Sequence, residues 1–437
     1  MTECKQISFG FPTCKSRKVL ADFKGGEVSS DGGVLLLRQV DRKLGLTRRL
    51  SEILRDDRSQ GHCDHDQLRL LRQRIYALAL GYEDINDHAT LRKDAALQTA
   101  VEASEDLASA STLCRWENRA DRENAVQISE LLVEQFIKSF KNAPEELVLD
   151  FDATDDPVHG NQEGRFFHGY YDQYCFLPLY VFCGEQLLIS YLRPSNIDAA
   201  KHAWAILSVL VKRFRQVWPA VRIIIRGDSG FCRWRMLSWC DRHNVNYIIG
   251  VAKNSRLNDM ASALMEKAKN QYEASGKKQR LFSDISYAAY SWDKERRIIV
   301  KAEHCSQGSN PRYVVTNLSG DPQKLYDEVY CARGDMENRI KEQQLGLFAD
   351  RTSCTKWWAN QFRVLLSSLA YVLLQTLRSV ALKGTILAHA QCSTIRIKLL
   401  KVGAVILRNT RRIIFHLSSA CPSQDIFLRA VKRLSVT

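Results

Sequence analysis

The clearest pattern of apolar and polar positions lies between Leu325 and Gln344. Its apolar residues recur every three or four positions, which places them on one stripe of a helix, and a polar strip lies beside that stripe. The stripe consists of Leu325, Val329, Ala332, Met336 and Ile340, and the strip of Tyr330, Arg333, Glu337, Lys341 and Gln344. We predict a helix that packs on a core and borders a cleft. A half-exposed helix with ordinary salt bridges is the alternative.

The segment before residue 144 shows mainly helical periodicity. We expect residues 1–30 to be irregular and the candidate helices to be Val34–Leu44, Asp66–Leu80, Asn86–Leu91 and Arg122–Phe140. The run from His62 to His65 contains residue types that bind metals. Asp64 and Asp66 fit a helix N-terminus better, so we interpret this run as the start of a helix.

After Pro144 the pattern changes to strands alternating with helices. The predicted strands are Glu146–Phe151, Tyr174–Cys183, Gln186–Leu192, Val221–Arg226 and Tyr247–Val251, with a helix at Asp198–Val217 and another ending near His243. Val221–Arg226 is almost continuously apolar, which is typical of a strand buried on both faces. Three strands, a helix, a strand, a helix and a strand are the succession of an α/β core of the ribonuclease-H-like class.

Two further regions complete the predicted domain organisation. Residues 254–310 interrupt the core, and we interpret them as an inserted, β-rich subdomain of a catalytic domain that spans 144–350. A helical N-terminal region, 1–143, and a helical C-terminal region, 351–437, flank that domain. The predicted C-terminal helices are Trp357–Val380, Thr394–Val405 and Phe427–Leu434.

The charge changes the picture because it is concentrated at one end. The 437 residues carry a net charge of +14, and from Arg351 onwards there are 14 Lys and Arg against Asp425 alone, so +13 lies there. Such a region suggests a polyanionic partner, most simply nucleic acid, with a merely solvated surface as the alternative. Arg408, Arg411 and Arg412 are candidate phosphate contacts. DNA binding by region 1–143 is a hypothesis, since no helix-turn-helix signature stands out.

Cysteine usage and hydropathy indicate the compartment. The 13 cysteines are odd in number and include no CxxC pair, which argues against a disulfide framework and for a reducing cytosol. We see no signal peptide, and the uncharged run Val364–Leu377 is too short to span a bilayer. We expect a cytoplasmic protein with no membrane contact.

Three carboxylates are the candidate catalytic residues. Asp152 and Asp228 each follow a predicted strand, where the crevice of an α/β sheet opens, and Glu337 lies on the predicted helix. Three carboxylates can hold two Mg²⁺ ions for phosphoryl transfer, with Mn²⁺ as a substitute. Asp228 could instead be only a turn residue. Asp150, Asp155 and Asp156 compete with Asp152 for the same role.

At this point the sequence resembles the DDE transposases of bacterial insertion sequences with a Tyr-x2-Arg-x3-Glu signature, most closely the family numbered 1380. The resemblance covers residues 147–345. It rests on Asp152-Ala153-Thr154, His159-Gly160, Gly169-Tyr170-Tyr171, Leu192–Asn196, Arg226–Phe231, Tyr330, Arg333, Glu337 and Asn338. It implies a metal-binding triad of Asp152, Asp228 and Glu337, with Tyr330 and Arg333 holding the DNA backbone. Related groups often carry Lys where this chain has Gln344, which leaves Lys341 as the candidate phosphate contact.

The resemblance implies a function. The enzyme would bind the terminal inverted repeats as double-stranded DNA, cut there by metal-dependent hydrolysis and join the 3′-hydroxyl ends to target DNA, working as a homodimer. A catalytically idle DNA-binding repressor and a structure-specific nuclease are the alternatives. Trp292, in the insert, either stacks on a flipped base or packs within its own subdomain.

Overall fold

The computed structural model describes residues 8–59, 61 and 63–435. His62 falls outside them, so the metal-ligand alternative for His62–His65 stays a prediction. The chain forms two compact units, one of Met1–Trp116 with Leu373–Thr437 and one of Glu117–Val372. The two ends of the chain therefore share one unit, whereas the sequence predicted separate terminal regions at 1–143 and 351–437.

The larger unit is built on a nine-stranded mixed sheet. Its strands lie in the spatial order Gln279–Tyr287, Arg296–Cys305, Arg312–Thr316, Asn246–Val251, Arg222–Gly227, Glu146–Ala153, Leu179–Cys183 and Gln186–Tyr191, with Gly308–Ser309 paired to Arg296–Cys305. Glu146–Ala153, Arg222–Gly227 and Asn246–Val251 are mutually parallel, and the other pairings are antiparallel. A mixed α/β fold is thus confirmed.

Apolar side chains cover both faces of the parallel strands, as their composition predicted. Ile223 and Ile225 belong to one core cluster and Ile224 to another on the opposite face, because successive side chains of a strand alternate. Helices of this unit pack on the first cluster through Phe136 and Phe214. The helices are Arg122–Lys138, Ala203–Val217, Trp234–Arg242, Ser255–Met260 and Ser262–Ser275. A separate, smaller sheet of this unit consists of Asp156–Pro157, Gln173–Phe176 and Phe166–His168.

One predicted helix start is wrong. The helix at Asp198 begins five residues later, at Ala203, after His202 in a left-handed conformation with φ 68°. Asp198 instead accepts from the Ala200 N–H and forms an ion pair with Arg233 at 2.6 Å. A good capping residue is equally suited to a turn, which is why the sequence misplaced the boundary.

The insert also differs from the prediction. Its long strands, Gln279–Tyr287 and Arg296–Cys305, extend the central sheet rather than forming a subdomain of their own. The join is the antiparallel pairing of Arg296–Cys305 with Arg312–Thr316. Trp292 packs partly buried against the main core, edge to face with Tyr287 at 5.6 Å.

The segment with the clearest periodicity is helical but irregular. Helical turns run from Pro322 to Gly346, with π-type turns at Leu325–Tyr330 and Glu342–Gly346 around the α-helix Gly334–Lys341. Leu325, Met336 and Ile340 of the predicted stripe are buried, and Val329 and Ala332 are half-buried. The π-type turns shift the phase of the helix, so Glu342 and Gln343 are buried as well.

The smaller unit combines helices with two small sheets. Its helical segments are Val34–Leu44, Leu46–Ile53, Gln67–Leu80, Ile85–Asp87, His88–Leu91, Ala95–Val101, Ala110–Glu117, Cys392–Ile395, Arg396–Leu400 and Gln424–Ser435. Its strands are Phe9–Cys14 with Arg17–Ala21, and Val28–Ser29 with Ala404–Arg408 and Ile413–Leu417. Asp66 caps the helix Gln67–Leu80, as predicted, by accepting from the Arg69 N–H.

Two expectations for the C-terminal region need correction. Part of the predicted helix Thr394–Val405 is a strand, because the β-branched run after Gly403 pairs with Ile413–Leu417. From the sequence, the uncharged run Val364–Leu377 was judged too short to span a bilayer. The helix that contains it, Trp357–Ala381, is long and apolar enough to cross a membrane. Its most apolar stretch is 78% buried inside the protein, as in a core helix.

Candidate active site

The sheet brings Asp152 and Asp228 to the same edge. Phe151 and Gly227 are register partners on two parallel strands, so the aspartate that follows each lies at the matching end. The carboxyl ends of parallel strands open onto the crevice where α/β proteins bind ligands. Both side chains are half-buried there.

Asp228 is held by the turn that follows its strand. Its Oδ1 accepts from the Gly230 N–H at 2.9 Å, which caps the short helical turn Ser229–Phe231. Gly227 lets this turn fold back, since a Cβ there would lie 3.0 Å from the Cβ of Phe231. One oxygen of Asp228 is therefore fixed by the backbone, which orients the carboxylate.

Arg333 links the third carboxylate to this edge. Its Nη2 lies 2.8 Å from Glu337 Oε1, one helical turn away, and its Nη1 lies 3.5 Å from Asp152 Oδ2. The guanidinium is mostly buried, with 17% of the side chain exposed, while Glu337 is 47% exposed. The three predicted triad residues and Arg333 thus meet in one place.

The carboxylates influence one another electrostatically. Burial raises the pKa of Asp152 to about 7, with Arg333 opposing the rise and the charges of Asp228 and Glu337 adding to it. A cluster of this kind is poised to accept a cation, because like charges in a partly buried site destabilise each other's ionised form.

The donor chemistry suits a divalent metal. Carboxylate oxygens are the ligands that Mg²⁺ prefers. Within residues 8–59, 61 and 63–435, however, no three His, Cys, Asp or Glu side chains are arranged to hold one ion. The guanidinium of Arg333 lies between Asp152 and Glu337, with which it forms ion pairs. By donor type alone, the three carboxylates fit Mg²⁺.

A buried ion pair that the sequence did not reveal anchors the helix over this edge. Arg226 donates to both oxygens of Asp150, at 2.5 and 2.7 Å, across paired positions of two parallel strands. Its Nη1 also donates to the Val329 carbonyl at 2.7 Å, on the π-type turn before Arg333. Asp150 is therefore held in a buried ion pair. The spacing of two residues between Asp150 and Asp152, and between Arg226 and Asp228, was the signal available in the sequence.

Gly250 and Tyr171 also belong to this region, and neither of them was assigned a role from the sequence. Gly250 leaves room for Tyr330, whose hydroxyl would lie 2.7 Å from a Cβ at position 250. A glycine inside a buried strand is a recognised sign of close approach. Burial raises the pKa of Tyr330, with Arg333 opposing the rise. Burial, together with the charges of Asp155 and Asp152, raises the pKa of Tyr171 to about 12, so its phenol keeps its proton.

The remaining predicted residues lie elsewhere. Lys341 is exposed on the helix, and Gln344 donates to the Asp155 carbonyl at 3.0 Å, which makes it an anchor for that loop. In the smaller unit, Arg408 pairs with Glu27 and donates to Gln98 at 2.8 Å. Arg411 and Arg412, also predicted, are exposed in the hairpin turn of the same unit. The backbone N–H of each donates to Asn409 Oδ1 at 3.0 Å.

The fold and the site define a mixed α/β protein with a carboxylate cluster at the edge of its sheet. Residues 11–437 match the family described as transposase DDE domain group 1. The chain belongs to this family of DDE transposases, so the resemblance read from its motifs is confirmed.

Solved structures add a weaker likeness. Seven of their chains match, among them a piggyBac transposase synaptic complex with hairpin DNA, at 9% identity and a TM-score of 0.43. That match covers 84% of this chain and 79% of the other. No curated protein matches the chain.

Proposed function

We propose that this transposase cuts DNA at the terminal inverted repeats of its insertion sequence and joins the freed 3′-hydroxyl ends to target DNA. The observation that carries the proposal is the meeting of Asp152, Asp228 and Glu337 at one sheet edge beside Arg333. Family membership supports it independently. The reaction would take place in the cytoplasm, with a homodimer holding the two ends.

The central sheet supports a ribonuclease-H-like assignment for this core. Its first five strands in chain order lie in the spatial order 3-2-1-4-5, and the second runs antiparallel to the first. Strands one, four and five are parallel, so Asp152 and Asp228 end neighbouring strands. Carboxylates that converge on one edge in this way could hold the two metal ions of an in-line displacement at a phosphodiester.

Asp152, Asp228 and Glu337 would hold two Mg²⁺ ions, with Mn²⁺ able to replace them. When bound, the ions would activate the attacking oxygen and stabilise the leaving oxygen. The protein's own contribution is orientation. The Gly230 N–H fixes Asp228, and Arg226 ties the helix that carries Glu337 to the strand below it.

Arg333 and Tyr330 would position the DNA backbone. With the carboxylates holding metal, the guanidinium of Arg333 would be free to pair with a phosphate, which its planar fork fits. Tyr330 keeps its proton because burial raises its pKa, so its hydroxyl can donate to a backbone oxygen. Lys341, Arg408, Arg411 and Arg412 are proposed as further DNA contacts, with Arg408 already held by Glu27.

The proposal is tested by incubating the full chain with labelled duplex that carries its own transposon end, a target plasmid and Mg²⁺. We expect nicked ends and joined products from the wild type and neither from Asp228→Asn, which should still bind the duplex. Binding without nicking by the wild type would favour a repressor. Nicking without joining would favour a nuclease without strand transfer. Nicking by Asp228→Asn at the wild-type rate would contradict the triad.

A further inference from the structure

The first two strands form a hairpin that is exposed almost throughout, which we call the N-terminal ribbon, Phe9–Ala21. Phe9–Cys14 pairs antiparallel with Arg17–Ala21, and every residue of the first strand is exposed. Lys15, with φ 56°, supplies the left-handed conformation that a two-residue hairpin turn needs. A two-stranded hairpin is marginal by itself in water, so this one is expected to rest on a partner.

One face of the N-terminal ribbon carries a cluster of exposed aromatic rings. Phe9 and Phe11 lie two residues apart and therefore on the same face, with ring centroids 5.6 Å apart, and Phe23 adds a third ring 6.0 Å from Phe9. The three side chains are 40%, 54% and 83% exposed. Clustered exposed rings of this size mark interaction sites rather than ordinary surface.

The positive charge around these rings favours a polyanionic partner. Between Ser8 and Lys24 the chain carries four cations and one acid, a net charge of +3. The cations are Lys15, Arg17, Lys18 and Lys24, and the acid is Asp22. No ion pair involves the first three within the part of the chain that the structure describes. Two copies of this cationic ribbon would repel each other at a shared contact, whereas a polyanion would be attracted.

We propose that the N-terminal ribbon is a DNA-docking element that lies in a groove of the duplex. A two-stranded ribbon fits the width of the major groove. Lys15, Arg17 and Lys18 at its turn would contact phosphates, and the phenyl rings of Phe11 and Phe23 would contact sugars and thymine methyl groups. This inference rests on the proposed function, since it takes DNA as the substrate, but it assigns a contact separate from the acidic site.

The test removes the three charges from the full-length protein with the triple substitution Lys15→Gln, Arg17→Gln and Lys18→Gln. The affinity for a duplex with the transposon end is measured by fluorescence anisotropy over a range of salt concentrations. Each lost phosphate contact lowers the slope of log affinity against log salt by about 0.9, so the variant should show a slope shallower by about 2 to 3. An unchanged slope would overturn the proposal.

The matched control removes three charges from the other compact unit, at Lys267, Lys269 and Lys277. Two lie on the helix Ser262–Ser275 and the third lies in the turn after it. This variant should keep the wild-type slope. An equal fall in both variants would mean that the slope reports net charge alone, which would also overturn the proposal. A wild type that binds no duplex would refute the proposed function itself, which separates the two failures.

The aromatic face is tested by Phe11→Ser with Phe23→Ser, which leaves the charge unchanged. We expect at least a tenfold weaker affinity for the duplex, an unchanged salt slope and an unchanged oligomeric state by light scattering. The exposed positions make a folding defect readily separable, and circular dichroism checks it. Loss of a dimer with unchanged DNA affinity would identify the face as a contact between copies and contradict DNA docking.

Discussion

The hydroxyl of Tyr330 lies directly over Gly250, so close that a Cβ on that glycine would approach it to 2.7 Å. The same Cβ would come within 3.0 Å of the Ser229 nitrogen, in the turn capped by Asp228. One missing methyl group therefore sets how closely the helix approaches the strand ends, and with it the distance between Glu337 and the two aspartates.

Gly250→Ala is expected to displace Tyr330 and to slow DNA nicking more than it weakens DNA binding. Overpacking of this kind costs about 1–3 kcal/mol of stability. The measurement is single-turnover nicking of end DNA, with urea denaturation to record the free energy of unfolding. Adding Tyr330→Phe removes the clashing oxygen and should recover part of the lost stability. A Gly250→Ala protein with wild-type stability and nicking would show that the close approach is unimportant.

Arg226→Met is expected to destabilise the larger unit strongly. It leaves the Asp150 carboxylate buried without its partner, and losing one member of a buried ion pair costs about 3–5 kcal/mol. It also removes the donor to the Val329 carbonyl. Urea denaturation measures the change.

The double variant Arg226→Met with Asp150→Leu is the control for that measurement. It removes both charges, so we expect it to be more stable than Arg226→Met alone. If the single substitution costs less than about 1 kcal/mol, the ion pair does not anchor the helix. Arg222→Met, which loses only an exposed pair with Glu146, should be close to neutral.

Local patterns predicted the larger unit well because its strands are strongly apolar and its helices amphipathic. The strand Arg222–Gly227 was found to within one residue, and the helix Arg122–Lys138, predicted as Arg122–Phe140, was found to within two. The sequence could not show how the chain divides into two units, because the N- and C-terminal segments pair through contacts between residues more than 300 positions apart. An example is the pairing of Val28 with Val405.

At the site, spacing and residue type predicted Asp152, Asp228 and Glu337 as the catalytic residues, and all three lie near Arg333 at one edge of the sheet. The sequence could not assign Arg226 or Gly250, because the role of each depends on which strand lies beside it. The roles of exposed residues were the hardest to predict from the sequence. Arg408 sits in the same basic cluster as Arg411, yet an ion pair with Glu27 holds it.

The raised pKa of Asp152 makes the stability of the metal-free protein depend on pH. The pKa is about 7 in the folded chain and about 3.9 in an unfolded one. The folded state therefore holds a proton that the unfolded state has lost, and stability falls as the pH rises from about 4 to about 7. Asp152→Asn removes this dependence. In EDTA, its melting temperature should exceed that of the wild type at pH 8, by a margin that shrinks towards pH 4.

Differential scanning fluorimetry across that pH range provides the comparison. Asp425→Asn, an acid on the helix Gln424–Ser435 in the other unit, is the control and should follow the wild-type curve. Parallel curves for Asp152→Asn and wild type would show that the carboxylate cluster contributes no pH dependence.

Arg411→Gln with Arg412→Gln is expected to weaken duplex binding while leaving stability within about 0.5 kcal/mol, because both side chains are exposed in a hairpin turn. Two lost phosphate contacts would make the salt slope shallower by about 1.8. Arg408→Gln should instead lower stability, since it breaks the contacts with Glu27 and Gln98. Anisotropy titrations and urea denaturation separate the two effects. Unchanged binding by the double variant would remove these arginines from the DNA interface.

The final prediction concerns Arg333, which forms ion pairs with Glu337 and Asp152 and is proposed to hold a phosphate during the reaction. Lys at this position keeps the charge but cannot form the planar fork that both roles use. Losing one well-placed donor to the transition state costs on the order of 3 kcal/mol, so Arg333→Lys should slow nicking roughly a hundredfold.

Arg339 provides the matched comparison on the same helix. It pairs with Glu185 at 2.5 Å and with Glu342 at 3.9 Å, away from the three carboxylates. Arg339→Lys should therefore nick at close to the wild-type rate. Both variants are measured in single-turnover reactions at saturating protein, so that weaker DNA binding does not enter the rate. If the two variants nick equally fast, the guanidinium of Arg333 takes no part in the reaction, and its ion pairs with Asp152 and Glu337 are only structural.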